Sequence, residues 1–278
     1  MKERVTLTLD SDILSQIDGK IDGHYIKNRS HAVELMLSES LGADAPKKAI
    51  ILAGAKGIHI KGIENNIPNP MIKINNKPIL EHNLELLKKN GIKNILISIG
   101  YRGDVIKGYF GDGSKMGVSI NYSEQKPGYL IGTGGCLRSL NQFIDSTFIL
   151  MYGDNLINID IKDMYSFHKK NNAKATVALK AVSLDTSSYG IAKLRGDKIL
   201  EFSEKKKRFT NLINAGFFIM EHDVIGIIPK KGFSKLEDDV FPQLAGKNQL
   251  FGYTFDGQWI DITDEKKIKI AENEWRGV

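Results

Sequence analysis

The apolar positions of residues 1–46 change period twice. RVTLTLD (4–10) alternates strictly, with Val5, Leu7 and Leu9 on one face and Arg4, Thr6 and Thr8 on the other. That is the pattern of a short strand. Asp10 or Ser11 then caps a helix in which Ile13, Leu14, Ile17 and Ile21 recur near a 3.6 period, and Gly23 ends it. KNRS (27–30) supplies a second cap at Ser30, followed by the stripe Val33, Met36, Leu37 and Leu41. After GADAP (42–46), a small polar stretch ending in proline, buried strands alternate with helices. Pro78 opens a helix through Asn90 that Gly91 stops, NILISIG (94–100) is a strand, and GDVIKGYF (103–110) is a helix. VSINY (118–122) and TFILMYGD (147–154) are further strands. The alternation predicts an α/β fold with a doubly wound, mostly parallel sheet. It divides the chain into residues 1–42, a linker at 43–46 and a large domain at 47–278.

The remaining composition narrows the class. A 278-residue chain with 41% apolar and 26% charged residues is an ordinary globular protein. No run approaches the roughly 18 apolar residues of a membrane span, and the N-terminus has no apolar signal region. Its single cysteine, Cys136, excludes an intrachain disulfide, so a cytoplasmic location is expected. The net charge of +6 hides an asymmetry. Residues 1–46 hold five Lys/Arg and eight Asp/Glu, or 5 − 8 = −3, leaving +9 for the rest.

About forty residues cannot build a sufficient core, and a lone strand leaves its edges unpaired. Pairing the strands of two copies over their four helices solves both problems, so a homodimer or higher homo-oligomer is expected. Residues 3–41 resemble the ribbon-helix-helix family of Arc and MetJ type, down to the Asn-Arg-Ser that opens the second helix. The resemblance implies double-stranded DNA as a partner. Arg4, Thr6 and Thr8 would face base edges in the major groove, with Arg29 and Ser30 at the phosphates.

In the large domain, the apolar run Ala49–Ala53 enters a loop where Gly54 and Gly57 let backbone amides approach an anion beside Lys56. This loop, LAGAKGIHI (52–60), and PNPM (68–71) resemble the signature of the sugar-1-phosphate nucleotidyltransferases. YLIGTGGCL (129–137), MYGD (151–154), YG (189–190), FSEKK (202–206), NAGFF (214–218) and QWIDI (258–262) match that family's later motifs in order. Four letters depart: Ala55 for glycine, Ile58 for threonine, His59 for the phosphate-holding arginine and Asn69 for the lysine. The resemblance implies a nucleotide site at Gly54, Lys56, Gly57, Gly132, Thr133 and Gly134. It implies a sugar site at Gly190, Glu204 and Asn214, and Lys205 at the sugar phosphate. Asp154 and Asp261 are credible ligands for Mg²⁺, which takes hard oxygens from one or two carboxylates plus substrate phosphates.

Transfer of a nucleotidyl group depends on positioning and on cations that neutralise the moving phosphoryl charge. With both fixed cations replaced, the expectation is a dimeric DNA-binding transcription regulator. Its large domain would bind a nucleotide, sugar phosphate or nucleotide-sugar as effector. The alternative is an active sugar-1-phosphate nucleotidyltransferase with a regulatory arm.

Overall fold

The computed structural model describes residues 5–21, 23, 26, 28–40, 45–54, 67–125, 131–182, 189–204 and 210–278, without the side chains of 34, 35 and 38–40. Two compact units emerge, Met1–Asp44 and Ala45–Val278.

The first unit contains α1 (Ser11–Asp18) and α2 (Arg29–Ser40). The Asp10 carboxylate accepts from the Asp12 amide at 2.8 Å and caps α1, as the pattern predicts. The start of α2 differs from expectation. Asn28 Oδ1 accepts from the His31 amide at 2.9 Å, so Asn28 caps the helix and Ser30 lies inside it. Residues 5–10 form no strand, because a ladder needs a second strand and one chain supplies none. Val5 is left 72% exposed and Leu7 53% exposed.

The second unit runs β1 (Lys48–Ala53), β2 (Lys73–Ile74), β3 (Lys77–Pro78), α3 (Ile79–Lys89), β4 (Asn94–Ile99), α4 (Gly103–Phe110), β5 (Ser119–Glu124) and α5 (Gly132–Ser139). It continues with β6 (Phe148–Tyr152), β7 (Asn155–Ile157), α6 (Ile161–Lys170), β8 (Ala175–Ala181), β9 (Gly190–Arg195), β10 (Lys198–Glu204) and β11 (Leu212–Met220). A π-turn at Leu236–Val240 precedes α7 (Phe241–Gly246), β12 (Leu250–Thr254), β13 (Trp259–Asp261) and α8 (Glu265–Glu274).

Nine strands form one sheet in the order β5-β4-β1-β6-β11-β8-β12-β10-β9. The half built from residues before Asp154 is parallel, as read from the sequence. The other half is mixed: β11 runs antiparallel to β6 and β8, and β9–β10 is a hairpin. The expectation of a mostly parallel sheet holds only for the first half. There, helical crossovers join the strands, whereas in the second half the hairpin turns at Gly196, whose φ is +58°.

Both sheet faces are covered. Leu80, Leu84, Ile106, Phe110 and Met164 of α3, α4 and α6 pack on one face. Cys136, Leu137, Phe241 and Leu244 of α5 and α7 pack on the other. A ribbon of β7 and β13 lies outside the sheet over a third apolar cluster, with Asp261 opposite Asn155.

Candidate active site

The carboxyl ends of β1, β4 and β6 share one edge of the sheet with the amino end of β11, which runs the other way with Phe217 opposite Met151. Ligands of open α/β sheets bind at such an edge. Two cavities adjoin there. One of about 350 Å³ is largely apolar and is lined by Leu52, Gly54, Gln125, Ile131, Gly132 and Cys136. The other, of about 300 Å³, is polar and is lined by Asp154, Asn155, Tyr189, Gly190, Glu204, Asn214, Glu237, Trp259 and Asp261. Thr133, Tyr152, Asp154 and Lys235 border both.

The ribbon explains why two distant aspartates meet. Asp154 lies between β6 and β7, and β13 lies antiparallel to β7, which brings Asp261 alongside. Trp259 Nε1 donates to the Ala215 carbonyl at 2.9 Å, and Asn155 Nδ2 donates to it at 3.3 Å, fastening the ribbon to β11. Gly216 makes the close approach possible: its φ is +71°, and a Cβ there would lie 2.6 Å from the Tyr152 ring. Asn214 Oδ1 accepts from the Gly216 amide at 2.9 Å, which holds that turn.

The electrostatics mark the pair as unusual. Burial, and then the charge of Asp261, pushes the Asp154 carboxyl up to about 6. Burial raises Asp261 too, opposed by a hydrogen bond from Tyr189 and by the charge of Lys267. Two half-buried carboxyls, of which Asp154 is disfavoured as an anion by the charge of Asp261, suit a cation shared between them. Among the described residues no group of three or more acidic, His or Cys side chains forms a self-contained metal site. Two carboxylates that leave remaining positions to substrate oxygens fit Mg²⁺.

On the apolar side, Gly54 packs against the amide of Gln125, where a Cβ would stand 2.8 Å from Nε2. Gln125 Nε2 donates to Ser98 Oγ at 3.2 Å, which orients that amide at the cavity wall. Gly132 and Thr133 line this cavity, whereas Gly134 is buried behind it and its amide donates to Ser234 O at 2.9 Å. The Lys56, Gly57 and Lys205 assignments, and His59 with its lost charge, lie outside the described residues. Asn69 is buried in a short turn at Asn69–Met71.

Five wall residues were missed in the sequence: Tyr152, Asn155, Phe233, Lys235 and Glu237. Glu237 is 6% exposed and accepts hydrogen bonds from Thr133 Oγ1 and the Tyr152 hydroxyl. Leu-Glu-Asp-Asp-Val ahead of Phe241-Pro242 signals a helix start, but only the fold shows that Glu237 turns inward.

The family described as Nucleotidyl transferase matches residues 48–273. The chain belongs to this family. A UTP–glucose-1-phosphate uridylyltransferase of Synechocystis sp. is 35% identical over 231 residues, covering 77% of this chain and 60% of that protein. The chain therefore spans about three-fifths of that relative's length. A D-glycero-alpha-D-manno-heptose 1-phosphate guanylyltransferase of Campylobacter jejuni is 33% identical, covering 77% of this chain and 94% of that protein. The crystal structure of HddC from Yersinia pseudotuberculosis superposes with a TM-score of 0.70 at 23% identity, over 83% of this chain and 100% of that one.

These relatives correct the reading of the chain as a DNA-binding transcription regulator, because the family members it matches are named as transferases. The loss of two cations at His59 and Asn69 carried too much weight in that reading. Asp154, Asp261, Glu204 and Asn214 all line one cavity of the family fold. The described residues of the first unit include Thr6, Thr8, Arg29 and Ser30. Arg29 is held by Asp18 in a two-pronged pair, with both contacts at 2.6 Å. Ser30 is not the cap, Thr6 and Thr8 are simply exposed, and Arg4 lies outside the described residues. Among the described residues, no helix is long and apolar enough to cross a membrane.

Proposed function

We propose that the chain is a sugar-1-phosphate nucleotidyltransferase, joining a nucleoside triphosphate to a sugar 1-phosphate with release of pyrophosphate. One observation carries this reading. An apolar, base-sized cavity and a polar, hydroxyl-binding cavity share a wall on which Asp154 stands, with Asp261 beside it. A nucleotide in the first and a sugar in the second would bring their phosphates together at that wall. A phosphate oxygen of the sugar phosphate attacks the α-phosphorus, the bond to the bridging oxygen breaks, and pyrophosphate leaves with the electron pair. The protein's part is to hold both reactants in line and to exclude water. Glu204, Asn214 and the backbone at Gly190 face the sugar cavity and suit hydrogen bonding to hydroxyls. Asp154 and Asp261 would hold Mg²⁺, which supplies neutralisation of the phosphoryl charge when bound.

The relatives differ in base and in sugar, so the test is a matrix. Purified protein, magnesium, each of the common nucleoside triphosphates and a panel of hexose and heptose 1-phosphates are assayed for pyrophosphate release. Turnover confined to one or two pairs is expected. Absence of turnover with every pair, in protein that melts cooperatively, would refute the reading.

The first unit we read as a ribbon-helix-helix arm through which two copies pair. Its support is the exposed, alternating Val5 and Leu7, which a second strand would cover. Light scattering should give twice the 31.0 kDa chain mass, and Leu7→Lys should halve it. A wild-type monomer at micromolar concentration would rule the arm out.

A further inference from the structure

The two cavities are strongly acidic for a site that must take polyphosphate. Their described walls carry Asp154, Glu204, Glu237 and Asp261, and the one Lys, Arg or His among the described lining residues is Lys235. It borders both cavities, where the phosphates of a joined nucleotide and sugar have to lie.

The backbone around Lys235 is held more firmly than a surface lysine needs. The Ser234 amide donates to Ile131 O at 2.9 Å, and Ser234 O accepts from the Gly134 and Gly135 amides at 2.9 and 3.1 Å. The Lys235 amide donates to Asp239 Oδ2 at 3.1 Å, and the Leu236 amide donates to Thr133 Oγ1 at 3.0 Å. This seat accounts for the glycines of α5. A Cβ at Gly132, whose φ is +73°, would stand 2.2 Å from Ser234 O, and one at Gly134 would stand 2.6 Å from Ser234 Oγ. A π-turn begins directly after, an irregularity often found at functional sites. The ammonium itself is loosely engaged: Asp238 lies 4.0 Å away, at the limit of an ion pair, and the side chain is 36% exposed.

We propose that Lys235 is a catalytic residue of the transfer, its ammonium meeting phosphate oxygens at the shared wall as pyrophosphate departs. The inference rests on the transferase reading and adds a cation to it. An ammonium fixed in advance at developing negative charge lowers the barrier without reorganisation. The bland alternative, a solvated lysine paired with Asp238, requires neither the glycine seat nor the border position. It would contribute little, as exposed pairs do.

The test compares wild type, Lys235→Met, Lys235→Arg and Gly134→Ala. Lys235→Met is expected to lower kcat by about a hundredfold or more, the size of losing one preorganised donor. KM for the sugar 1-phosphate should change far less, and Lys235→Arg should recover most of the rate. Gly134→Ala, which shifts the seat without touching the charge, should also lower kcat. Calorimetry with magnesium pyrophosphate gives a readout independent of turnover, and Lys235→Met should weaken that binding at least tenfold. A Lys235→Met enzyme with wild-type kcat overturns the inference while leaving the transferase reading intact. If the wild type fails to turn over, the transferase reading fails, and equal pyrophosphate binding by wild type and Lys235→Met overturns the role of Lys235 separately.

Discussion

Thr133 ties α5 to the π-turn of Glu237: its hydroxyl donates to Glu237 at 2.8 Å and accepts from the Leu236 amide at 3.0 Å. The two residues are 104 positions apart in the chain, so this hydrogen bond joins two distant stretches at the wall of the polar cavity. Thr133→Val keeps the shape and removes both bonds, leaving a buried carboxylate short of a donor. A loss of about 1–3 kcal/mol in denaturant stability is expected, with Thr133→Ser close to wild type. Equal stability of all three proteins would show that the hydroxyl is not needed.

The half-buried Asp154 predicts opposite effects on activity and stability. With its folded pKa pushed up to about 6, above the ordinary aspartate value of 3.8, Asp154 favours its protonated form in the native state. Its contribution to stability is therefore present below the unfolded pKa and is lost as pH rises through about 6. In chelator at pH 7, Asp154→Asn should raise stability by about 2–3 kcal/mol, the size of a two-unit shift. The same variant should lose turnover by about a hundredfold or more. A lower melting temperature for Asp154→Asn would contradict the account.

The parallel half of the sheet was legible because its strands are continuous apolar runs broken by glycine and proline. Asn94–Ile99 and Gly103–Phe110 fall where the pattern puts them. The antiparallel half was not, since hairpins such as β9–β10 carry no periodicity that reveals their neighbours in the sheet. For the site, Asp154, Asp261, Glu204 and Asn214 were readable as motif letters at strand ends. Tyr152 and Glu237 were not, because a tyrosine inside an apolar strand and a glutamate in an acidic run have the same local signal as core and solvent positions. Only the return of the chain from Leu236 to α5 brings them to one wall. The DNA reading failed for a related reason: alternation shows which side chains share a face but not what that face meets.

Far from the cavities, acid should unfasten the opposite edge of the sheet. Burial would raise Glu221, but hydrogen bonds from His168, Lys169 and Thr147 outweigh it and hold the carboxyl down to about 2. His168 is pushed below its usual value by burial. Its neutral form, with the proton on Nε2, donates to Glu221 at 3.2 Å and accepts from Thr176 Oγ1 at 2.8 Å. Both folded pKa values are depressed, so both contributions are present at neutral pH and lost on acidification. His168 begins to lose its contribution below the ordinary histidine value of 6.5, and Glu221 loses its own between the ordinary glutamate value of 4.5 and about 2. The Glu221 share is about 3 kcal/mol. Glu221→Gln should flatten the acid limb of a stability-against-pH curve. A limb of unchanged steepness would refute the assignment.

The C-terminal segment is fastened by an aromatic side chain. Trp275 Nε1 donates to His82 Nδ1 at 3.3 Å, His82 Nε2 donates to Ile74 O at 3.0 Å, and the two rings meet edge to face. Trp275→Ala should destabilise the large unit by about 3–5 kcal/mol, as for other large aromatics lost from cores. Trp275→Phe should lose about 1 kcal/mol, the worth of the hydrogen bond. Chemical denaturation reads both, and equal costs would mean that the ring contributes through its polar edge alone.

The β7–β13 ribbon has a consequence for the chain as it is made. Every described wall residue of the apolar cavity except Phe233 and Lys235 is encoded by the time Asp154 is passed, while Asp261 arrives with the last strand. During synthesis the parallel half of the sheet is complete long before the second carboxylate is made. A product ending between Lys235 and Trp259 would carry every described wall residue of the apolar cavity and only one of the two aspartates. On the transferase proposal, such an unfinished polypeptide would bind a nucleotide without consuming it.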